Sequence, residues 1–304
     1  MSPSKTTASS PGVPLRSESL RGSVLARRPL TSFFLLAYAL TWLGWSPWFL
    51  SESGVGLLPY EGGDLDVLFN VAGLVLGPTL AAFVVTGAAE GREGVRRLLR
   101  RIVLWRVGLR WYLFVLAGIP AIALLSAVAM PGALASFRVS AVPPALFLYL
   151  VAGPFFLFAG GPVFEEIGWR GFALPRLQRQ HGSLAGSLLL GFLWALWHLP
   201  LFLIPDWDTP HGGPLDAALF VVLAAGMAVV FTWVFNNTSG SVLLAILAHG
   251  SLNMGVATAY DLFPVPAVVD GFANFVVGFG AAAVVVVVLT RGRLGYRQET
   301  DRAR

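Results

Sequence analysis

Long uncharged apolar stretches alternate along this chain with short segments that carry nearly all of the charged residues. Eight of the stretches contain about 19 to 23 residues each, enough to cross about 30 Å of hydrocarbon as a helix. They cover residues 30–50, 67–89, 111–130, 144–164, 182–204, 217–235, 240–260 and 271–290. Only a helix satisfies its own backbone within one such segment. The pattern therefore predicts an all-α fold, a polytopic membrane bundle of about eight transmembrane helices.

The composition supports this interpretation and excludes several classes of protein. Hydrophobic residues make up 56% of the 304 positions and charged residues 12%, with a mean hydropathy of +0.73, which is far too apolar for an ordinary soluble domain. The chain has no cysteine, so disulfides, thiolate metal sites and a cysteine nucleophile are excluded. We find no basic surface interleaved with aromatic residues, and the net charge of +5 therefore does not predict nucleic-acid binding.

The basic residues predict the orientation, because cytoplasmic loops near membrane crossings carry an excess of Lys and Arg. In an orientation with the N-terminus inside, 20 of the 21 basic residues are cytoplasmic and Arg138 is the exception. This predicts a multi-pass protein of the cell membrane with both termini in the cytoplasm. An export signal after Arg27 and Arg28 is the alternative, but the apolar run is too long and lacks a cleavage site, so we expect a retained first helix.

The chain divides into three regions. Residues 1–25 are rich in Ser, Pro and Thr and predict a disordered cytoplasmic tail, residues 26–290 a single helical domain, and residues 291–304 a second cytoplasmic tail. The loop from Gly91 to Trp111 carries seven arginines among apolar residues and predicts a basic amphipathic helix on anionic headgroups. We interpret it as a topology anchor, with a specific lipid or partner site as the alternative.

One apolar region is too long for a single crossing. From Pro144 to Gln180 a continuous helix would extend about 55 Å. Gly160-Gly161-Pro162 is the natural place for a break, because proline removes a helical donor and glycine is conformationally permissive. We predict a kink or joint there, just ahead of two adjacent acids.

Those acids, Glu165 and Glu166, are the most informative polar residues, because an ionised side chain in hydrocarbon is costly without partners or water. His198, His249 and Asn253 are the other polar groups of interest in the apolar segments. If the helices around residue 182 form an antiparallel hairpin, Glu165 and His198 lie level with each other, being 17 and 16 residues from the turn. Their distances from the ends of their own apolar segment place His249 and Asn253 at a similar depth in the membrane.

Neighbouring residues on a helix differ by about 100° around its axis, so the two acids have different surroundings. Glu166 and Arg170 are four residues apart in the order that favours an ion pair, which indicates a supporting carboxylate. Glu165 then faces the cavity as a general base. His249 and Asn253 share a face and both can donate to an oxyanion. A structural role remains the alternative for each, as helix-packing polar groups or an architectural ion pair.

In these residues the chain resembles the CPBP family of intramembrane proteases, which includes the type II CAAX prenyl endopeptidases and bacteriocin-processing or self-immunity proteins of the Abi type. The resemblance covers roughly residues 140–260. It consists of a Glu-Glu-x-x-x-Arg motif from Glu165 to Arg170, an aromatic-x-x-x-His motif from Trp194 to His198, and a His-x-x-x-Asn motif from His249 to Asn253. The aromatic residue of the second motif is usually Phe in the family, and here Trp194 takes its place.

The resemblance implies a glutamate-dependent intramembrane endopeptidase with no cofactor. Glu165 and His198 would activate water, His249 and Asn253 would stabilise the oxyanion, and Glu166, Arg170 and Trp194 would support the site. The implied partners are the membrane and a hydrophobic or lipidated peptide or protein substrate. Three alternatives remain open: a metalloprotease using the two His and two Glu, a non-catalytic immunity or scaffold protein, and a proton-coupled transporter that uses the glutamates as a relay.

Overall fold

The computed structural model describes residues 23–61, 63–204, 213–269 and 272–297. Within these ranges every regular element is helical and no strand is present, which confirms the all-α prediction. The predicted N-terminal tail lies outside the described residues as far as position 22, and a short helix, Val24–Arg27, includes its last two residues. Of the predicted C-terminal tail only 291–297 is described, and it contains no helix.

Nine helices form the body of the described molecule. They are α1 (Pro29–Leu50), α2 (Leu65–Ile102), α3 (Leu109–Val128), α4 (Val139–Ala159), α5 (162–181), α6 (Ser183–Trp197), α7 (Pro214–Asn237), α8 (Val242–Leu262) and α9 (Ala273–Thr290). All except α5 belong to spans that are long and apolar enough to cross a membrane, with α6 extended by a 3₁₀ turn, Leu199–Leu203. The described residues thus contain the eight predicted spans. A short helix, Pro266–Val269, precedes α9.

Four of these helices contain a π-helical turn, which is wider than an α-helical turn, at or shortly before a proline. Single π-helical turns occur at Val75–Thr79, Phe114–Gly118, Leu148–Ala152 and Trp169–Ala173. The first contains Pro78, and each of the others ends two residues before a proline. A proline ring has no N–H and clashes with the carbonyl four residues earlier, so a widened turn lets the helix continue past it. The fourth turn follows the glutamate pair directly.

The break ahead of the glutamates lies where the sequence predicts it. Helix α4 ends at Ala159, and α5 begins at Pro162 after Gly161 adopts a φ of +98°. At the other end of α5, Gly182 has a φ of +79° and turns the chain into α6, which packs against α5. The predicted hairpin around residue 182 is therefore present, and it brings α5 and α6 side by side.

Two predicted segments differ in part from the sequence expectation. The apolar stretch 182–204 forms the predicted span, Ser183–Leu203, but it is α-helical only as far as Trp197 and continues as a 3₁₀ turn, because Pro200 has no N–H to donate to the carbonyl of Leu196 and its ring clashes with that carbonyl. The basic segment predicted over 91–111 is helical only to Ile102, as the end of α2, with Gly91 irregular at a φ of +65°. Its Leu98 is buried whereas Arg96 and Arg100 are exposed.

The centre of the bundle is formed by α7 and α8. In their most apolar windows 61% and 67% of the residues are buried, against 11% in α4. Helix α5 lies beside this centre, in contact with α6, α8 and the π turn of α2. The glutamate pair is therefore held among packed helices and not on the outer surface of the bundle.

Candidate active site

Glu165 and Glu166 occupy the first turns of α5, immediately after the Gly161 break. The start of this helix is held by α2, where the hydroxyl of Thr79 donates to the carbonyl of Phe164 over 2.6 Å. Both carboxyl groups are inside the bundle, with Glu165 4% exposed and Glu166 fully buried. Since a buried carboxylate needs hydrogen-bond partners, the partners of each one indicate what it can do.

Glu166 lies in a charged network with partners on two helices. Its Oε1 accepts a 2.6 Å hydrogen bond from Nη1 of Arg170, and the predicted ion pair is thus confirmed. The same oxygen lies 3.0 Å from Nδ1 of His249 on α8. The guanidinium of Arg170 is fully buried over the rings of Phe231 at 5.0 Å and Trp194 at 5.7 Å. Ring faces attract cations, so the aromatic residues help to compensate this buried charge.

Glu165 has a neutral partner instead. The indole N–H of Trp194 on α6 donates to its Oε2 over 2.6 Å. A second indole, that of Trp169, lies beside the same carboxyl group without forming a hydrogen bond of good geometry. Trp169 is four residues after Glu165 and therefore on the same face of α5. The indole of Trp194 therefore orients the carboxyl group, and among the described residues no arginine or lysine forms an ion pair with it.

His198 lies one turn after Trp194, at the C-terminus of α6. Its Nδ1 is 2.9 Å from the carbonyl oxygen of Trp194, and a carbonyl only accepts, so Nδ1 carries the hydrogen in this contact. In the neutral ring Nε2 is then an acceptor that can take a proton. The ring centroids of His198 and Trp194 are 5.1 Å apart, and Trp194 also lies 5.4 Å from His249. One tryptophan thus contacts three of the predicted site residues.

The end of α6 is held by aromatic donors on α1. Tyr38 donates from its hydroxyl to the carbonyl of Leu193, and the indole of Trp42 donates to the carbonyl of Trp197 over 2.9 Å. The last carbonyls of a helix have no partner within the helix, and Trp42 supplies one for Trp197; the carbonyl of Leu193 lies one turn earlier and accepts from Tyr38. Both residues escaped the sequence analysis. Their spacing of four and their polar tips are the signals that could have revealed them.

One member of the His-x-x-x-Asn pair belongs to the charged network of Glu166. Because Nδ1 of His249 donates to Glu166, the ring can donate to a second group only from Nε2, and only when both nitrogens carry hydrogen. Asn253 is one turn further along α8 and is partly exposed. The described residues show no hydrogen bond between its amide and the other site residues. The structure therefore brings Glu165, Glu166, Arg170, Trp194, His198 and His249 together, and places Asn253 at the edge of this group.

A metal site requires several ligand atoms that converge on the same ion. In the described ranges no three His, Asp or Glu side chains form a group that could hold a metal ion. The two acids and two histidines instead face different partners, since Glu166 is engaged with His249 and Arg170, and Glu165 with Trp194.

Gly161 provides the space for the first carboxylate. A β-carbon at this position would lie 2.7 Å from Oε1 of Glu165, and the φ of +98° is one that L side chains rarely adopt. The sequence indicated this glycine as a break in the helix. Its close approach to the carboxyl group depends on the turn geometry and was not predicted.

Comparison with known proteins matches the same part of the chain. Residues 144–255 match a family model described as type II CAAX prenyl endopeptidase Rce1-like. The match contains α5, α6, α7 and most of α8, hence all of the residues that meet at the glutamate pair. A protein from Methanococcus maripaludis named CAAX prenyl protease 2 is 26% identical over 237 residues, which cover 73% of this chain and 82% of that relative.

Proposed function

We propose that this chain, which belongs to the CPBP family of membrane proteins and contains an Rce1-like region over residues 144–255, is an intramembrane endopeptidase that hydrolyses a peptide bond with water activated by Glu165 and His198. The observation that carries the proposal is the hydrogen-bond partner of Glu165, which is a neutral indole. This carboxyl group is buried and oriented by Trp194, and that tryptophan also contacts His198. An acid that is not held in a direct ion pair remains available to take a proton from water.

The reaction can be written with the groups at hand. Glu165 takes a proton from a water molecule, the hydroxyl group attacks the peptide carbonyl carbon, and a tetrahedral oxyanion forms. His198, holding its Nδ1 hydrogen on the Trp194 carbonyl, presents Nε2 as an acceptor that orients the water. The proton held by Glu165 then passes to the leaving nitrogen as the C–N bond breaks. No Ser or Cys nucleophile is required, and the products are a carboxylic acid and an amine.

Oxyanion stabilisation is assigned to His249 and Asn253 in this proposal. His249 donates from Nε2 while its other nitrogen donates to Glu166, which orients the ring. Asn253, one turn along α8, contributes its amide N–H from the partly exposed edge of the site. Each well-placed donor of this kind typically contributes about 3 to 4 kcal/mol to transition-state stabilisation. Glu166, Arg170 and Trp194 act by positioning these groups.

The substrate class follows from the membrane location and the relatives. We propose a hydrophobic or lipidated peptide, with a prenylated C-terminal peptide as the first candidate because the relative is named a CAAX prenyl protease. We also propose that both termini are cytoplasmic, since Arg101, Arg110, Arg179 and Arg297 line a single cavity and thus lie on one side of the bundle.

The test uses purified full-length protein in lipid nanodiscs and a fluorogenic peptide that ends in a prenylated cysteine and three further residues. We expect Glu165→Gln to lower the cleavage rate by on the order of 10²–10⁴-fold, the usual contribution of a general base. Glu61→Gln, a change of an exposed acid outside the predicted spans, serves as the control and should leave the rate unchanged. Cleavage by the Glu165 variant at the normal rate would refute the proposal.

Three further measurements test the metal-free route, the role of the lipid and the non-catalytic alternative. Cleavage that persists in a strong chelator supports the metal-free route, and cleavage that is lost and then restored by zinc supports the metalloprotease alternative. A non-prenylated version of the same peptide tests whether the lipid is part of the recognised substrate. If no peptide is cleaved and Glu165→Gln still protects cells or binds a partner, the immunity or scaffold alternative is favoured.

A further inference from the structure

A large basic cavity lies away from the glutamate pair. It has a volume of about 790 Å³ and is lined by residues of α5 and α7, the end of α2, the start of α3 and the segment after α9. Four arginines reach it from four different parts of the chain: Arg101, Arg110, Arg179 and Arg297. None of the proposed catalytic residues lines it. The cavity is within the range of about 300 to 1,000 Å³ that is typical of small-molecule sites.

A second cavity of about 390 Å³ continues the first and shares Arg101, Pro175 and Arg179 with it. It adds Arg97 and Arg176, so six arginines line the two cavities. Among the described lining residues Glu90 is the single carboxylate, and it already accepts from Arg97 over 2.8 Å and from Arg176. The described residues therefore leave a large excess of positive charge in a small volume.

The surroundings of Arg176 agree with this distribution of charge. The pKa of Arg176 is lowered to about 10, chiefly by burial and to a smaller extent by the neighbouring charges of Arg179 and Arg101, against the opposing effect of Glu90. Arg101 and Arg179 thus lie close enough to Arg176 to repel it, and among the described lining residues Glu90 is the carboxylate that opposes this repulsion. An anion bound there would relieve the repulsion.

The first cavity is built by a defined polar framework. The amide of Asn236 donates to the carbonyl of Leu294 over 3.0 Å and exchanges hydrogen bonds with the amide of Gln178 on α5. These contacts fix the segment after α9 against α5 and α7, and so bring Arg297 to the cavity. Gly295 allows the approach, because its φ is +73° and a β-carbon would overlap the side chain of Asn237.

The surroundings indicate what kind of anion would bind. Between Arg101 and Arg110, the side chains of Val103, Trp105 and Leu109 are 60% to 71% exposed. Exposed apolar residues beside a ring of arginines at the ends of membrane spans suit the boundary between headgroups and acyl chains, where tryptophan is also preferred. A soluble phosphate would use the arginines and leave these apolar residues without a partner.

We propose that this arginine cavity binds the phosphate headgroup of an anionic phospholipid from the adjacent leaflet, with the acyl chains over Val103, Trp105 and Leu109. Guanidinium groups pair well with phosphate, since the planar fork donates two parallel hydrogen bonds. Basic pockets between membrane helices on the cytoplasmic side are suited to this kind of ligand. The site would fix the ends of α2, α5 and α7 relative to one another in a membrane that contains anionic lipid.

The test measures binding and does not depend on peptidase activity, so it can fail independently of the proposed function. Full-length protein is placed in nanodiscs of phosphatidylcholine with a small fraction of phosphatidylglycerol, and the retained lipid is counted by native mass spectrometry. The variant Arg179→Gln/Arg297→Gln removes two cavity charges, both on exposed side chains. We expect its affinity for phosphatidylglycerol to be about 30-fold weaker, because two arginine contacts are lost.

The matched control is Arg96→Gln/Arg100→Gln. It removes two exposed arginines of α2 that line neither cavity, so the net charge changes equally. Equal loss of lipid in both variants would show a diffuse charge effect and overturn the proposal. Arg110→Gln is an independent single variant, expected to weaken binding about 5-fold. Strong binding of inorganic phosphate in detergent without retention of phosphatidylglycerol would show a soluble anion site and also overturn it.

Discussion

The two glutamates are adjacent in the chain, are buried to nearly the same extent, and nevertheless have opposite electrostatic environments. Glu166 faces α8 and is engaged with Arg170 and His249 in a buried charged network. Glu165 faces α6 and accepts from the neutral indole of Trp194. The difference arises because successive residues on a helix point about 100° apart, towards different neighbours.

The different partners of Glu165 and Glu166 show how a membrane protein can keep one buried acid available for chemistry. A cationic partner holds a carboxylate in its ionised form and uses its lone pairs, which suits a structural role. A neutral donor fixes the orientation of the carboxyl group without forming an ion pair with it. The Glu166 network then supplies the rigid side of the site, and Glu165 supplies the side that we propose to react.

The largest loss of stability should come from removing Glu166 from its network with Arg170 and His249. Glu166→Gln leaves Arg170 buried without its anion, and we expect the free energy of unfolding to fall by about 3 to 5 kcal/mol. Glu165→Gln removes an acid whose partner is neutral and should cost less than about 2 kcal/mol. Thermal unfolding in detergent, followed by tryptophan fluorescence, compares the two variants. Equal destabilisation would contradict the division of roles.

A smaller effect, on the cleavage rate, should follow from removing the indole N–H that Trp194 donates to Glu165. Trp194→Phe keeps most of the aromatic packing and loses the hydrogen bond to Oε2 of Glu165. Hydrogen bonds to charged groups contribute about 1.5 to 3 kcal/mol, and we expect kcat to fall between about 10-fold and 100-fold with KM nearly unchanged. Trp233→Phe, on α7 beside Trp111 and Phe114, is the control because its ring is part of the packing away from the glutamates. A similar kcat loss in both variants would indicate a general packing effect.

The smallest effect on stability should come from Gly161, the glycine beside Glu165. Gly161→Ala introduces a side chain at a φ of +98° and places its β-carbon against Oε1 of Glu165, so we expect a loss of about 1 to 2 kcal/mol together with reduced cleavage. Gly280→Ala is the control, since no atom lies within 4 Å of the added β-carbon and the glycine is inside α9. That change should be neutral or stabilising by up to about 1 kcal/mol. Unimpaired cleavage by Gly161→Ala would show that the close approach is not needed.

Much of the fold was predictable because its causes are local. Eight spans, the break at Gly161 and the turn at Gly182 follow from hydrophobic length and from the backbone preferences of Gly and Pro. The ion pair of Glu166 with Arg170 was also predictable, since it depends only on the spacing along one helix. The early end of α6 follows from Pro200, whose effect the apolar pattern concealed.

By itself the sequence determined the membrane-spanning class, the places where helices break, and the residues that we propose carry the chemistry. The tertiary structure alone decided which partner each residue has: Trp194 for Glu165 across 29 residues, His249 for Glu166 across 83, and a common cavity for four distant arginines. The physical reason is that helical periodicity depends on neighbours within one turn. Contacts between helices depend instead on how several spans pack and rotate against one another, and no local spacing encodes that.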